Sequence, residues 1–156
     1  MNAHDSAMET NEHRRTVRSL MHQCRSALMD RALSHDESKL KPPEKDGFDA
    51  MTPLLLSSTY GSPEYKEFLD ALKPVLAHHY AVNAHHPEHH VNGIAGMTLI
   101  DLVEMLCDWK AAGQRHANGS IEKSLAVNRE RFAIGDQLQA ILVNTVRAMA
   151  WETKQK

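Results

Sequence analysis

The sequence has no apolar run close to the ~20 residues that a bilayer-spanning helix needs, which excludes a helical membrane protein. Its opening stretch, MNAHDSAMETNEHRR, has none of the apolar core of a secretory signal. Positive charge is not in excess. With 18 Lys and Arg against 20 Asp and Glu, the net charge of −2 offers no basic field for a general grip on nucleic acid. Cysteine is scarce. Cys24 and Cys107 each sit in a helix-like apolar pattern and are expected to be reduced core residues of a cytosolic protein, not a disulfide. Strand-like alternation of useful length is absent as well.

What remains is an ordinary globular composition, 42% hydrophobic and 24% charged over 156 residues, enough for one domain with a sizeable core. Helix periodicity and caps recur along it. From about Thr10 to Leu33, Val17, Leu20, Met21, Cys24 and Leu28 return at helical spacing. After the loop KLKPPEKDG, Asp46 is placed to cap FDAMTPLLLSS, with Pro53 bending or ending that helix. Ser62 followed by Pro63 starts the next helix, which Pro74 kinks or restarts. Thr98 caps LIDLVEMLCDWKAA, which stops at Gly113. Two more helices are expected near 119–132 and 136–151, divided by the turn at Gly135–Asp136. The prediction is an all-α fold, a single bundle of about seven helices over residues 10–151, with flexible ends at 1–9 and 152–156.

The chemistry concentrates in HHYAVNAHHPEHH, residues 78–90, which holds six of the eleven histidines. His79, Asn83 and His86 are spaced i, i+4, i+7 and would share one helical face, with His78 and His85 on the neighbouring stripe. Pro87 disfavours helix at His86, so the helix should end about there, leaving His89 and His90 in a loop. A solvated helix end accounts for one or two histidines but not for this density. Metal or phosphate binding is the better reading.

Three further elements supply polar groups. In SHDESKL, His35 and Asp36 at a helix end can both turn toward one ion, although Ser34 and Glu37 also have the spacing of a capping box. His13 precedes Val17, Leu20, Met21, Cys24 and Leu28 on the stripe expected to be buried, while His22 falls on the opposite, polar side. Asp101, Glu104 and Asp108 form one carboxylate stripe hemmed by apolar residues, a pattern that more often faces a cation than solvent.

The ordered series His13, His35-Asp36, the histidine cluster and Asp108 resembles the HD superfamily of metal-dependent phosphohydrolases, which are all-α. HDESK looks like the HDxGK form of that superfamily. HHPEHHVNGIAG is similar to a stretch in its cyclic-dinucleotide phosphodiesterase branch, and CDWKAA resembles the helix carrying the late Asp. A closer resemblance, over roughly residues 13–146, is to a small phage and prophage family sharing HDxSK, YGSPEYKEF, HHYxxNxHHPEH and DLVEMxxDWKAA.

The resemblance implies an HD-like bundle and a first metal site of His13, His35, Asp36 and Asp108. It gives His79 with His85 or His86 to a second ion or to steering a phosphate. Lys39, with Arg131, would neutralise the phosphate, Asn83 would contact substrate, and Glu44 or Glu104 would position a water. The cofactor would be one or two divalent ions of manganese, iron, zinc, cobalt or nickel. Two features depart from the two-metal enzymes: the interval before the HH pair is short, and the GYP tail is missing. The implied activity is phosphoester hydrolysis in a small nucleotide, in the cytoplasm, or the host cytoplasm if phage-encoded, with no membrane or nucleic-acid partner. A homodimer is compatible with the sequence. The alternative is a non-catalytic metal- or nucleotide-binding helical module.

Overall fold

The structure is a computed structural model, described here for residues 5–58, 62–114 and 119–152. Among the described residues the regular elements are six α-helices and three short 3₁₀ turns, with no strand. The chain divides into two compact units, Met1–His35 and Asp36–Lys156.

The first unit is one helix, α1 (Ala7–Ser34), longer at its start than the apolar periodicity suggested. None of its residues is buried. Within this unit Val17, Leu20, Met21 and Cys24 are exposed, and His13 with them; a single helix has no partner of its own on which to bury its apolar stripe. Ser34 also departs from expectation. Its hydroxyl donates back to the Asp30 carbonyl at 3.1 Å and does not cap the next element.

The second unit opens with a 3₁₀ turn at Glu37–Leu40, followed by α2 (Glu44–Ser57) and α3 (Pro63–Val82), which pack on each other. Helix α2 begins at Glu44, ahead of Asp46, and runs through Pro53. Helix α3 likewise runs through Pro74. The Ser62 hydroxyl accepts from the Tyr65 amide at 3.1 Å, the cap that SPEY predicts. Helix α3 ends at Val82, four residues before the expected stop.

Helices α4 (Leu99–Gln114), α5 (Ile121–Arg131) and α6 (Asp136–Ala148) enclose the hydrophobic core. Leu106, Ile121, Leu125, Ile134, Leu142 and Val146 are buried there, with Trp109, Phe132 and Trp151 packed against them. Ser120 caps α5 through the Lys123 amide. Cys107 is exposed, contrary to its core assignment. One turn below it Val103, and two turns below it Leu99, point the same way. No helix among the described residues is long and apolar enough to cross a membrane.

Candidate metal centre

The centre lies in the second unit, where the turn at Asp36, the last turn of α3 and the segment after it meet. Asp36 has left-handed backbone dihedrals, φ 56° and ψ 15°, a conformation that Asp tolerates better than most residues. Its carboxylate is divided between two tasks. Oδ2 takes an ion pair from Lys39 Nζ at 2.6 Å. Oδ1 stands 3.4 Å from His79 Nε2 and 3.6 Å from His85 Nε2.

His79 is buried in the last turn of α3 and His85 is buried just beyond it. The chain leaves the helix at Asn83, whose backbone is extended, and His86 is extended too, as a residue before proline should be. This path brings His86 Nε2 to 2.9 Å from His79 Nε2. His79 and His86 therefore meet, as their spacing suggested, but through a turn and not along one helical face. One donor atom each from Asp36, His79, His85 and His86 lies within 4.8 Å of every other.

Carboxylates stand behind two of these rings. Glu44, with no exposed surface, places Oε2 at 2.8 Å from His79 Nδ1 and Oε1 at 2.8 Å from His78 Nδ1. Glu104 places Oε1 at 3.1 Å from His85 Nδ1. Burial by itself raises the Glu44 carboxyl, but hydrogen bonds from His78, Ser38 and His79 outweigh it and hold the group below the ordinary carboxylate range. His86 is pushed down to about 3, first by burial and then by the neighbouring His85 and His79, against the opposing pull of Asp108 and Asp36. Its imidazole is neutral at physiological pH, the state a ligand needs.

The profile of a family of unknown function (DUF5662) matches residues 2–150. The chain belongs to that family. No curated protein and no solved structure matches it. The DUF5662 description names no activity.

Of the residues singled out in the sequence, the second unit of this DUF5662 chain gathers Asp36, His79, His85, His86, Glu44 and Glu104. Asp108 is close enough for its charge to act on His86. The carboxylate stripe of α4 is split in use. Asp101 is buried and accepts from the Thr98 amide at 2.8 Å and hydroxyl at 2.7 Å, closing the start of α4 as a reciprocal cap.

Asn83 donates to Ser38 Oγ and to the His79 carbonyl, both at 2.8 Å. Arg131 is paired with Glu88 at 2.7 Å and lies over the Phe132 ring. His89 and His90 donate to the carbonyls of Ala81 and Ala84, at 2.8 and 2.9 Å, fastening the loop to the end of α3. His13 and His35 lie in the first unit, and His22 is exposed there. Ser38 was missed, although HDESK places it two residues after Asp36. His78 was seen only as a member of the neighbouring stripe.

Proposed function

We propose that this chain is a metal-dependent phosphohydrolase, a nucleotidase or phosphodiesterase acting on a small nucleotide. One observation carries the reading. The donor atoms of Asp36, His79 and His86, with His85, are separated by 2.9, 3.4 and 3.6 Å along three of their contacts. Two donors each ~2.1 Å from a common ion stand ~3.0 Å apart at a right angle and ~3.4 Å apart at the tetrahedral angle. Three imidazoles with one carboxylate suit manganese, iron, zinc, cobalt or nickel.

Three imidazoles and one carboxylate, with no thiolate among the four donors, favour an open site over a closed structural one. A bound ion would polarise a phosphoryl oxygen and lower the pKa of a water from about 15.7 toward ~7.

The chain's residues do the holding. Lys39 turns Asp36 so that Oδ1 faces the imidazoles, and Glu44 and Glu104 orient two of the rings. The likeness to the HD superfamily supplies the choice of phosphoester. It also adds His13, His35 and Asp108 as ligands. Phage origin and host-cytoplasm location rest on the separate resemblance to a small phage and prophage family.

The test is elemental analysis of the purified chain, followed by phosphate release from nucleoside phosphates and cyclic dinucleotides with manganese, iron or zinc. Metal-dependent release that disappears in Asp36→Asn and His85→Ala supports the proposal. Stoichiometric metal with no release on any substrate favours the binding module. A chain that takes up no metal sinks the metal-dependent activity and leaves only a nucleotide-binding module.

A further inference from the structure

We infer that Glu44 is a positioning residue that holds the His79 ring with its proton on Nδ1, and that Glu104 does the same for His85. The consequence for metal affinity rests on the proposed function. The tautomers themselves do not.

Three polar atoms surround His79 Nδ1: Glu44 Oε2 at 2.8 Å, Asn83 Nδ2 at 2.9 Å and Ser38 Oγ at 3.4 Å. An ionised carboxylate only accepts, so the short contact to Glu44 requires Nδ1 to donate. The Asn83 amide has two hydrogens. Ser38 Oγ and the His79 carbonyl, both at 2.8 Å, take them, which leaves none for Nδ1. Ser38 in turn donates to Glu44 Oε2 at 2.9 Å. Every donor in this knot then has one acceptor, and no arrangement with the His79 proton on Nε2 closes it. His78 donates to the other oxygen, Oε1, so two successive residues of α3 grip one buried carboxylate from both sides.

In the neutral ring, a proton on Nδ1 leaves a lone pair on His79 Nε2. It faces Asp36 Oδ1 and His86 Nε2. The 2.9 Å nitrogen–nitrogen contact is then a hydrogen bond in which His86 Nε2–H donates. At His85 the Glu104 oxygen 3.1 Å from Nδ1 is likewise only an acceptor, which places the proton on Nδ1 there too. Two rings are therefore set for a ligand in advance, and one is not. Entry of an ion leaves His79 and His85 unchanged and requires the His86 proton to move from Nε2 to Nδ1. A carboxylate behind a ligating imidazole fixes its ring and raises its basicity, and removing one typically costs ~10–100-fold in metal affinity.

The test uses imidazole ¹⁵N resonances of the full chain, first without metal and then with zinc as a diamagnetic probe. The metal-free protein should show Nδ1–H for His79 and His85 and Nε2–H for His86, with zinc converting His86 alone. A His79 proton on Nε2 in the metal-free protein overturns the inference, whatever binds. Glu44→Gln should weaken zinc binding ~10–100-fold, with partial recovery in Glu44→Asp. Unchanged affinity and an unchanged His79 signal in Glu44→Gln also overturn it. If that variant does not fold, the wild-type spectrum decides without it. Expected tautomers in a chain that ignores zinc support the positioning role and overturn the metal reading instead.

Discussion

Gly47 and Val75 touch where α2 crosses α3: a Cβ on Gly47 would stand 2.3 Å from Val75 Cγ2. One turn before Gly47 lies Glu44, and one turn after Val75 lies His79, the pair joined at 2.8 Å. The missing side chain lets the helices approach closely enough for that bond. Gly47→Ala would normally gain helix propensity, but Val75 is β-branched and cannot swing away cheaply. The expected result is a net loss of about 1–3 kcal/mol in urea unfolding, partly recovered by adding Val75→Ala. A variant as stable as wild type means the helices have room that the structure does not show.

Ligand assignments separate by substitution. Asp36→Asn, His79→Gln and His85→Ala should each lower metal stoichiometry measured by elemental analysis, while His22→Gln, His89→Gln and His90→Gln should not. His22 is exposed, and the other two bond to backbone carbonyls. The same measurement on His13→Gln and His35→Ala asks whether the likeness to the HD superfamily extends to the first unit. Full occupancy in all of Asp36→Asn, His79→Gln and His85→Ala would remove the site.

Acid should weaken the metal-free fold through His86. Unfolded, its ring takes up a proton near ~6.5, whereas in the folded chain it does so only at about 3. Between those values the unfolded state binds more protons. The contribution is therefore complete above pH ~6.5 and is lost as pH falls toward 3. Urea midpoints at neutral pH and at two acid values should fall more steeply in wild type than in His86→Gln. Parallel profiles would show that His86 is not held neutral.

The core of the second unit is centred on one side of α4. Leu106→Ala, at a buried position, should cost ~2–5 kcal/mol by denaturant unfolding. Val103→Ala on the exposed side of the same helix should stay within ~0.5 kcal/mol. Equal losses at both positions would mean that something covers the Leu99–Val103–Cys107 stripe in solution.

Local signals served the reading where the deciding contact is short in sequence. Ser62-Pro63 and Ser120 cap their helices as their residue types require, and Gly135–Asp136 separates α5 from α6. The seven-residue interval from His79 to His86 also brought those rings together, although the helix had already ended. Pro87 signalled a stop near by, but the amide of Asn83, engaged by Ser38 from 45 residues away, marks where the chain leaves α3.

By itself the sequence determined an all-helical chain with one dense histidine segment and carboxylates at helical spacing, because caps, breakers and periodicity act over a few residues. It could not assign partners to those carboxylates. Asp101, Glu104 and Asp108 look equivalent on a helical wheel, yet one caps its own helix, one stands behind His85 and one acts on His86 by charge. Glu44 was expected to position a water, not to accept from His78 and His79. Only the tertiary structure decided the roles of Glu44, Glu104 and Asp108, because each depends on the close crossing of α2 and α3 or on the turn after α3, whereas the Asp101 cap is local. A buried carboxylate takes its function from the donors that this packing leaves within reach.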